Sequence, residues 1–152
     1  MKLAEALILR ADCQKRIEQF RHRLLRSAKV QEGETPPENP QMLLAELDVA
    51  VNELADLIKR INNTNSRTTL QDEITISDAL AQRDTLLLKR SVYDSLVNAA
   101  VVEQERYSQT EIKSYSTVNV AELQVQIDRL SQQYRGLDTK IQQLNWNTEL
   151  ID

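Results

Sequence analysis

Apolar residues recur at intervals of three and four in four segments of the chain, which is the pattern of amphipathic helices. In the fourth segment, Asn119 precedes the row Val120, Leu123, Ile127, Leu130, Tyr134, Leu137, Ile141 and Leu144. In the second, Asn39 and Pro40 precede the row Leu44, Leu47, Val51, Leu54, Ile58 and Ile61. Asparagine is a preferred N-cap and proline fits the first helical position, so both patterns predict sharp helix starts.

The first segment, roughly residues 3–30, has a row with the same spacing: Leu3, Ala6, Arg10, Cys13, Ile17, Phe20, Leu24 and Ser27. Moving each position forward by 73 residues gives the third row: Ile76, Ala79, Arg83, Leu86, Arg90, Tyr93, Val97 and Ala100. We expect Ser77 to cap this third helix. The sequence therefore predicts an all-α protein of four long helices, forming two similar antiparallel hairpins at about 3–65 and 76–148 within a single domain, 1–152.

Two linkers differ from these helical segments in composition. Residues 68–76 and 111–118 are rich in threonine, isoleucine, valine and tyrosine with partial alternation, which is typical of short extended segments. We expect them to pair with each other at one end of the helices.

Composition limits the class of protein. Two glycines, three prolines, 41% hydrophobic and 28% charged residues favour helices over a β-sandwich. The net charge of −4 is not that of a generally basic nucleic-acid-binding protein. The single cysteine, the lack of a long apolar stretch and the charged residues near the start predict a cytoplasmic protein with no membrane-spanning helix.

Two arginines lie at corresponding positions of the first and third apolar rows. Arg10 in "EALILR" matches Arg83 in "DALAQR", and a guanidinium in a helix seam requires a carboxylate or carbonyl partner. The candidate acids are Asp12, Glu46, Asp48 and Asp56 for the first half and Asp84, Glu122 and Asp128 for the second. The two arginines are interpreted as side chains at the edge of the seam whose stems pack while their charged ends reach water, or as polar pairs that fix the helix register. The alternative is an anion-binding site. Either interpretation predicts that Arg10→Leu and Arg83→Leu behave alike.

The third helix carries more apolar residues than one seam requires. Leu86, Leu87 and Leu88 are consecutive and point in three directions. They predict an interface with a second copy of the chain. Trp146, which follows the fourth row, is a further candidate residue of this interface.

Other candidate chemistry has weaker support in the sequence. Residues 15–29 hold six cations and His22 against one glutamate. Such a face could bind RNA, DNA or an anionic membrane, but it is interpreted as a solvated or subunit-pairing face. Cys13 lies in the seam, and His22 is too far along the same helix to activate it. We therefore expect no catalytic site, no metal and no cofactor.

Six stretches, "EALILRADCQKRIEQFRHRLL", "AKVQEG", "KRINNTN", "DALAQRD", "RYSQTEIK" and "NWNTELI", occur in this order. With them the chain resembles the septicolysin-like family of small bacterial helical proteins over essentially its whole length. The resemblance implies a bacterial, all-helical protein, and the family's name implies a haemolysin.

Three functions are compatible with the sequence. The first is a non-enzymatic protein that self-assembles or binds other proteins. The second is a membrane-active or pore-forming protein, as the resemblance implies. The third is an RNA-binding helical module that uses the basic stretch of the first helix.

Overall fold

A computed structural model describes residues 1–71, 73–101 and 112–152. Four helices lie in these ranges: α1 (Leu3–Arg26), α2 (Pro40–Arg67), α3 (Ile76–Ala100) and α4 (Val120–Asn147). Two short strands, β1 (Thr69–Leu70) and β2 (Ile74–Thr75), separate α2 from α3. The predicted all-α class and the four long helices are confirmed.

The chain divides into two compact units. The first comprises Met1–Ile76 and Gln142–Asp152, and the second comprises Ser77–Ile141. The division lies close to the predicted boundary between the two halves. The C-terminal residues, however, belong to the first unit rather than to the second.

In the first unit, α1 packs on α2 along the predicted row of α1. The core of this hairpin contains Cys13, Phe20, Leu43 and Ala50, with Ile17, Leu24, Leu47 and Leu54 packed against it. Cys13 is 1% exposed, and its Sγ donates a 3.1 Å hydrogen bond to the carbonyl oxygen of Ala50. A side chain as small as alanine allows the two helices to approach this closely.

The buried row of α2 is rotated by one residue from the predicted row. Leu43 and Ala50 are 3% and 2% exposed, whereas the predicted seam residues Leu44 and Val51 are 48% and 45% exposed. Both rows have three-and-four spacing and both contain Leu47. The prediction was wrong at alternate positions because the α1 surface, rather than the pattern on α2, determines which row is buried.

Of the three predicted N-caps, the two asparagines are confirmed. The Asn39 side chain accepts a 3.0 Å hydrogen bond from the Gln41 amide, and Asn119 accepts one of 3.1 Å from the Glu122 amide. Ser77 does not cap α3, because that helix begins one residue earlier. The Ile76 amide donates to the Thr68 carbonyl oxygen at 2.8 Å and so has a partner outside the helix.

The extended linkers do not pair as predicted. β1 and β2 pair with each other in an antiparallel hairpin, with Thr69 opposite Thr75 and Leu70 opposite Ile74. Both strands lie within 68–76, because a short local turn costs less entropy than pairing with a distant segment. Residues 112–118 of the second linker form no strand, and residue 111 lies outside the described residues.

The ends of the chain meet within the first unit. The Leu3 amide donates to the Thr148 carbonyl at 2.9 Å, and the Leu150 amide donates to the Met1 carbonyl at 2.8 Å. Thr64 Oγ1 accepts a 2.9 Å hydrogen bond from the Ile151 amide. These bonds attach the last residues to both the start of α1 and the end of α2.

Candidate functional site: the hairpin of the second unit

An arginine and a carboxylate join the two helices of the second unit. Nη1 of Arg83, on α3, donates a 2.9 Å hydrogen bond to Asp138 Oδ1 on α4, and its Nε donates a 3.2 Å bond to Asp84 Oδ1. The side chains of Arg83 and Asp138 are 23% and 31% exposed. Burial disfavours the charge of the guanidinium, but the hydrogen bonds to Asp138 and Asp84 outweigh it and raise the pKa of Arg83.

A second contact lies one heptad away in the same register. Nη1 of Arg90 donates a 3.3 Å hydrogen bond to the hydroxyl of Ser131. Moving seven residues forward from Arg83 and seven back from Asp138 leads to this pair, which establishes that α3 and α4 are antiparallel. The two seam arginines therefore meet different partners, a carboxylate and a neutral hydroxyl.

Arg10 does not reproduce the environment of Arg83. Within residues 1–71, 73–101 and 112–152, no carboxylate forms an ion pair with Arg10, and Asp12 is exposed. The ends of the second and fourth rows match at an offset of 83 residues, since Ile58, Ile61 and Asn62 correspond to Ile141, Leu144 and Asn145. The same offset takes Asp138 to Ala55, so α2 has no acid at the corresponding position. The two arginines correspond in sequence but differ in chemistry.

The sequence missed Asp138 as a partner of Arg83, although it included Asp84 among the candidates. Asp138 directly follows the seam residue Leu137 and is separated from Arg83 by 55 residues. Its position beside Arg83 depends on the antiparallel register of α3 and α4, which no local pattern specifies. Because Arg83 already binds two carboxylates, it is a poor site for a further anion.

The row of α3 that does not face α4 is exposed. Leu88, Val92 and Leu96 are 65%, 59% and 39% exposed at intervals of four residues. The three predicted interface leucines differ in exposure. Leu86 is half-buried in the seam, Leu87 is 39% exposed at the side of the helix, and Leu88 lies in the exposed row. Excess apolar residues on α3 are therefore at the surface of the chain.

The core of this hairpin is small. Among the described residues of the second unit, those that are buried are Ala79, Val97, Ile127, Leu130 and Ile141. The other seam positions, including Leu86, Tyr93 and Tyr134, are half-buried. Two packed helices leave much of each seam open to solvent, so the described residues of this hairpin include few buried apolar side chains.

Half of the cations in the basic stretch, residues 15–29, form ion pairs with neighbouring acids. Arg16 pairs with Glu53, Arg21 pairs with Glu18, and Arg23 pairs with Glu38. Three of the six cations in residues 15–29 are therefore engaged within the first unit. This pairing reduces the positive surface that an RNA ligand would require.

The remaining candidate residues do not assemble into a reactive site. His22 is exposed on α1, and Trp146 is 54% exposed. Arg16 Nη2 lies 3.6 Å from the buried Cys13 Sγ, beside an open depression whose walls also carry acidic residues. Within the described parts of the chain, no group of three or more potential ligands could hold a metal ion. No helix there is long and apolar enough to cross a membrane.

The chain is similar to a known protein family and to a solved structure, both of unknown function. A model of a family of unknown function, DUF6847, matches residues 10–150. The crystal structure of a functionally unknown conserved protein from Corynebacterium diphtheriae is similar, with 44% identity, a TM-score of 0.93 and 99% coverage of each chain. No curated protein matches the chain. The expected septicolysin-like resemblance was wrong, because the matching family model is a different one.

Proposed function

We propose a role for the chain, which belongs to DUF6847, a family of unknown function. It is a protein-interaction protein that self-associates through α3. The observation that carries this proposal is the exposed row of Leu88, Val92 and Leu96 on a hairpin with a small core. A second copy of the chain is the proposed occupant of this row.

A second copy fits because it supplies what the hairpin lacks. Two helices bury little apolar surface, and a second copy on the side away from α4 places α3 between two helices, so that its apolar residues are covered on both sides. A C2 contact also uses the same patch on both copies, so one exposed row is sufficient.

The energy of this contact predicts a reversible dimer. The exposed parts of Leu88, Val92 and Leu96 amount to about one and a half whole apolar side chains per copy. Burying them on both copies contributes about 5 to 9 kcal/mol in total, of the same order as the cost of association. The proposed dimer therefore dissociates on dilution.

Among the exposed rows, α3 is favoured over α2. The exposed residues Leu44, Val51 and Ile58 of α2 belong to a row that also contains Asp48. A charge within a helical interface is costly unless it is paired. On α3, the positions at alternating steps of four and three through Leu88 and Val92, from Ala81 to Ala99, include no charged residue.

The proposed role is interaction rather than catalysis. The chain has one cysteine, and its Sγ is buried and hydrogen-bonded to a backbone carbonyl. A thiol in this environment acts as a small core side chain. The proposal also places the protein in the cytoplasm, since a single buried thiol suits a reducing compartment; cell fractionation tests this location.

A matched pair of variants tests the self-association. Val92→Glu and Val51→Glu each place a charge at a half-exposed valine in the middle of a helix, on α3 and α2 respectively. The proposal predicts that Val92→Glu lowers the dimer fraction in light scattering and that Val51→Glu leaves it unchanged. Equal effects, or an effect of Val51→Glu alone, would contradict the proposed surface.

A further inference from the structure

Leu88 and Val92 of the exposed row also belong to a series of positions on α3 that repeats every seven residues. This series consists of Ala81, Thr85, Leu88, Val92, Ser95 and Ala99, which are separated by alternating steps of four and three and are all exposed. This spacing is that of a coiled-coil seam on the side of α3 opposite to Arg83 and Arg90. Small side chains at four of the six positions allow two helix backbones to approach closely.

Thr85 fits such a seam without a buried unpaired hydroxyl. Its Oγ1 lies 2.9 Å from the Ala81 carbonyl oxygen, to which it donates, and 3.0 Å from the Gln82 carbonyl oxygen. The hydroxyl is therefore satisfied within α3. The methyl group remains available for packing against another helix.

From this geometry we infer that two copies of α3 pair in parallel and in register; the inference rests on the proposed function. In heptad terms, Val92 occupies an a position and Leu88 a d position. A β-branched residue at a with leucine at d favours two parallel strands. The residues flanking the seam also favour this direction.

Charge complementarity distinguishes the parallel from the antiparallel arrangement. In a parallel pair, Asp84 at a g position faces Lys89 at the following e position of the second copy, and symmetry gives this contact twice. In an antiparallel pair that matches the seam layers, Lys89 faces the same lysine of the second copy. Like charges placed opposite each other are destabilising.

Both charged side chains have room to turn towards a second copy. Asp84 is 67% exposed, although its Oδ1 accepts a hydrogen bond from Arg83. Lys89 lies with its Nζ 5.6 Å from the centre of the Tyr93 ring. Contact with a second copy adds to these intrachain interactions and does not require breaking the Arg83 bond, because a carboxylate accepts several hydrogen bonds.

Single cysteines at two distant seam positions test the direction of pairing. Thr85→Cys and Ala99→Cys each place a thiol next to its own symmetry mate in a parallel pair. In the antiparallel pair, position 85 lies opposite position 95, about 15 Å along the helix from its own mate at 1.5 Å per residue. The wild-type chain is the control, since its cysteine is 1% exposed.

The parallel arrangement predicts that both variants form disulfide-linked dimers under mild oxidation and that the wild-type chain does not. A dimer in solution without cross-linking of either variant would overturn the parallel arrangement and leave self-association standing. A monomer at all concentrations would overturn the proposed function itself. Lys89→Glu, with Lys59→Glu on α2 as its control, is expected to lower the dimer fraction several-fold; no loss would also count against the pairing of Asp84 with Lys89.

Discussion

Arg83 and Asp138 connect α3 to α4 through a 2.9 Å hydrogen bond between oppositely charged groups. Arg90 lies seven residues after Arg83, and Ser131 lies seven residues before Asp138. The Arg90 Nη1 donates a 3.3 Å hydrogen bond to the neutral hydroxyl of Ser131. The same register thus supplies a charged partner in one layer and a neutral partner in the next. These two layers lead to opposite mutational effects.

Arg83→Leu should destabilise the protein more than Arg10→Leu. Removing Arg83 leaves the half-buried Asp138 without its cation, with an expected loss of about 1 to 2 kcal/mol in the free energy of unfolding. No carboxylate among the described residues depends on Arg10, so its replacement should cost less than half as much. Urea denaturation at one protein concentration measures both. Equal losses in the free energy of unfolding would show that Arg10 and Arg83 have equivalent roles, as the sequence suggested, and would contradict this prediction.

Ser131→Asp should stabilise the protein. The new carboxylate lies opposite Arg90 in the register that joins Arg83 to Asp138, and we expect a gain of about 0.5 to 1 kcal/mol. Ser131→Asn is the neutral control of similar size. The gain should shrink as the salt concentration rises, because salt screens a partly exposed ion pair. An equal change in the aspartate and asparagine variants would show that charge is not the cause.

Gly136→Ala should also stabilise the protein. Gly136 lies inside α4, and a Cβ built there has no atom within 4 Å, so alanine adds helix propensity without a clash. The expected gain is about 0.5 to 1 kcal/mol in chemical denaturation. Gly33→Ala is the control with the opposite expectation, because Gly33 has φ +83 and strains any L side chain. A loss at Gly136 would contradict the open environment at that site.

Stability should fall below about pH 4.5 because of two carboxylates. Hydrogen bonds from Arg23 lower the pKa of Glu38 below its ordinary 4.5, and hydrogen bonds from Lys2 and the amino terminus do the same for the pKa of Glu149. Each carboxylate holds fewer protons in the folded state than in the unfolded state. Its contribution is therefore complete above pH 4.5 and is lost as the pH falls through the lower pKa.

Thermal unfolding between pH 3 and pH 7 measures this loss. Glu38→Gln and Glu149→Gln should each have a lower melting temperature near pH 7 and a shallower decline in acid than the wild-type chain. Parallel pH profiles for wild type and variants would show that other groups cause the acid instability.

The fold was largely predictable because each helix has its own periodic pattern. The row from Leu3 to Ser27 in α1 and the row from Val120 to Leu144 in α4 coincide with the less exposed positions of those helices. α2 differs because its row through Leu44 and its row through Leu43 share Leu47 and have equal spacing. The contact of Cys13 with Ala50 decides between them, and that contact depends on a second helix.

The candidate site was predictable only in part for a similar reason. The sequence marked Arg83 and Leu88 by their positions on one helix. It missed Asp138 because the register between α3 and α4 brings together residues that are distant in sequence. The linkers were predicted in part. The extended conformation within 68–76 was visible in the sequence, but β1 pairs with the neighbouring β2 and not with the distant linker 111–118.

Sedimentation equilibrium of the wild-type chain over a wide concentration range measures self-association through α3. One chain has a mass of 17.5 kDa, so a dimer has twice 17.5, or 35 kDa. Self-association through α3 predicts a weight-average mass that rises from the first value towards the second with concentration and that stays near the first for Val92→Glu. A mass of 17.5 kDa at every concentration, or a dimer unaffected by Val92→Glu, would contradict it.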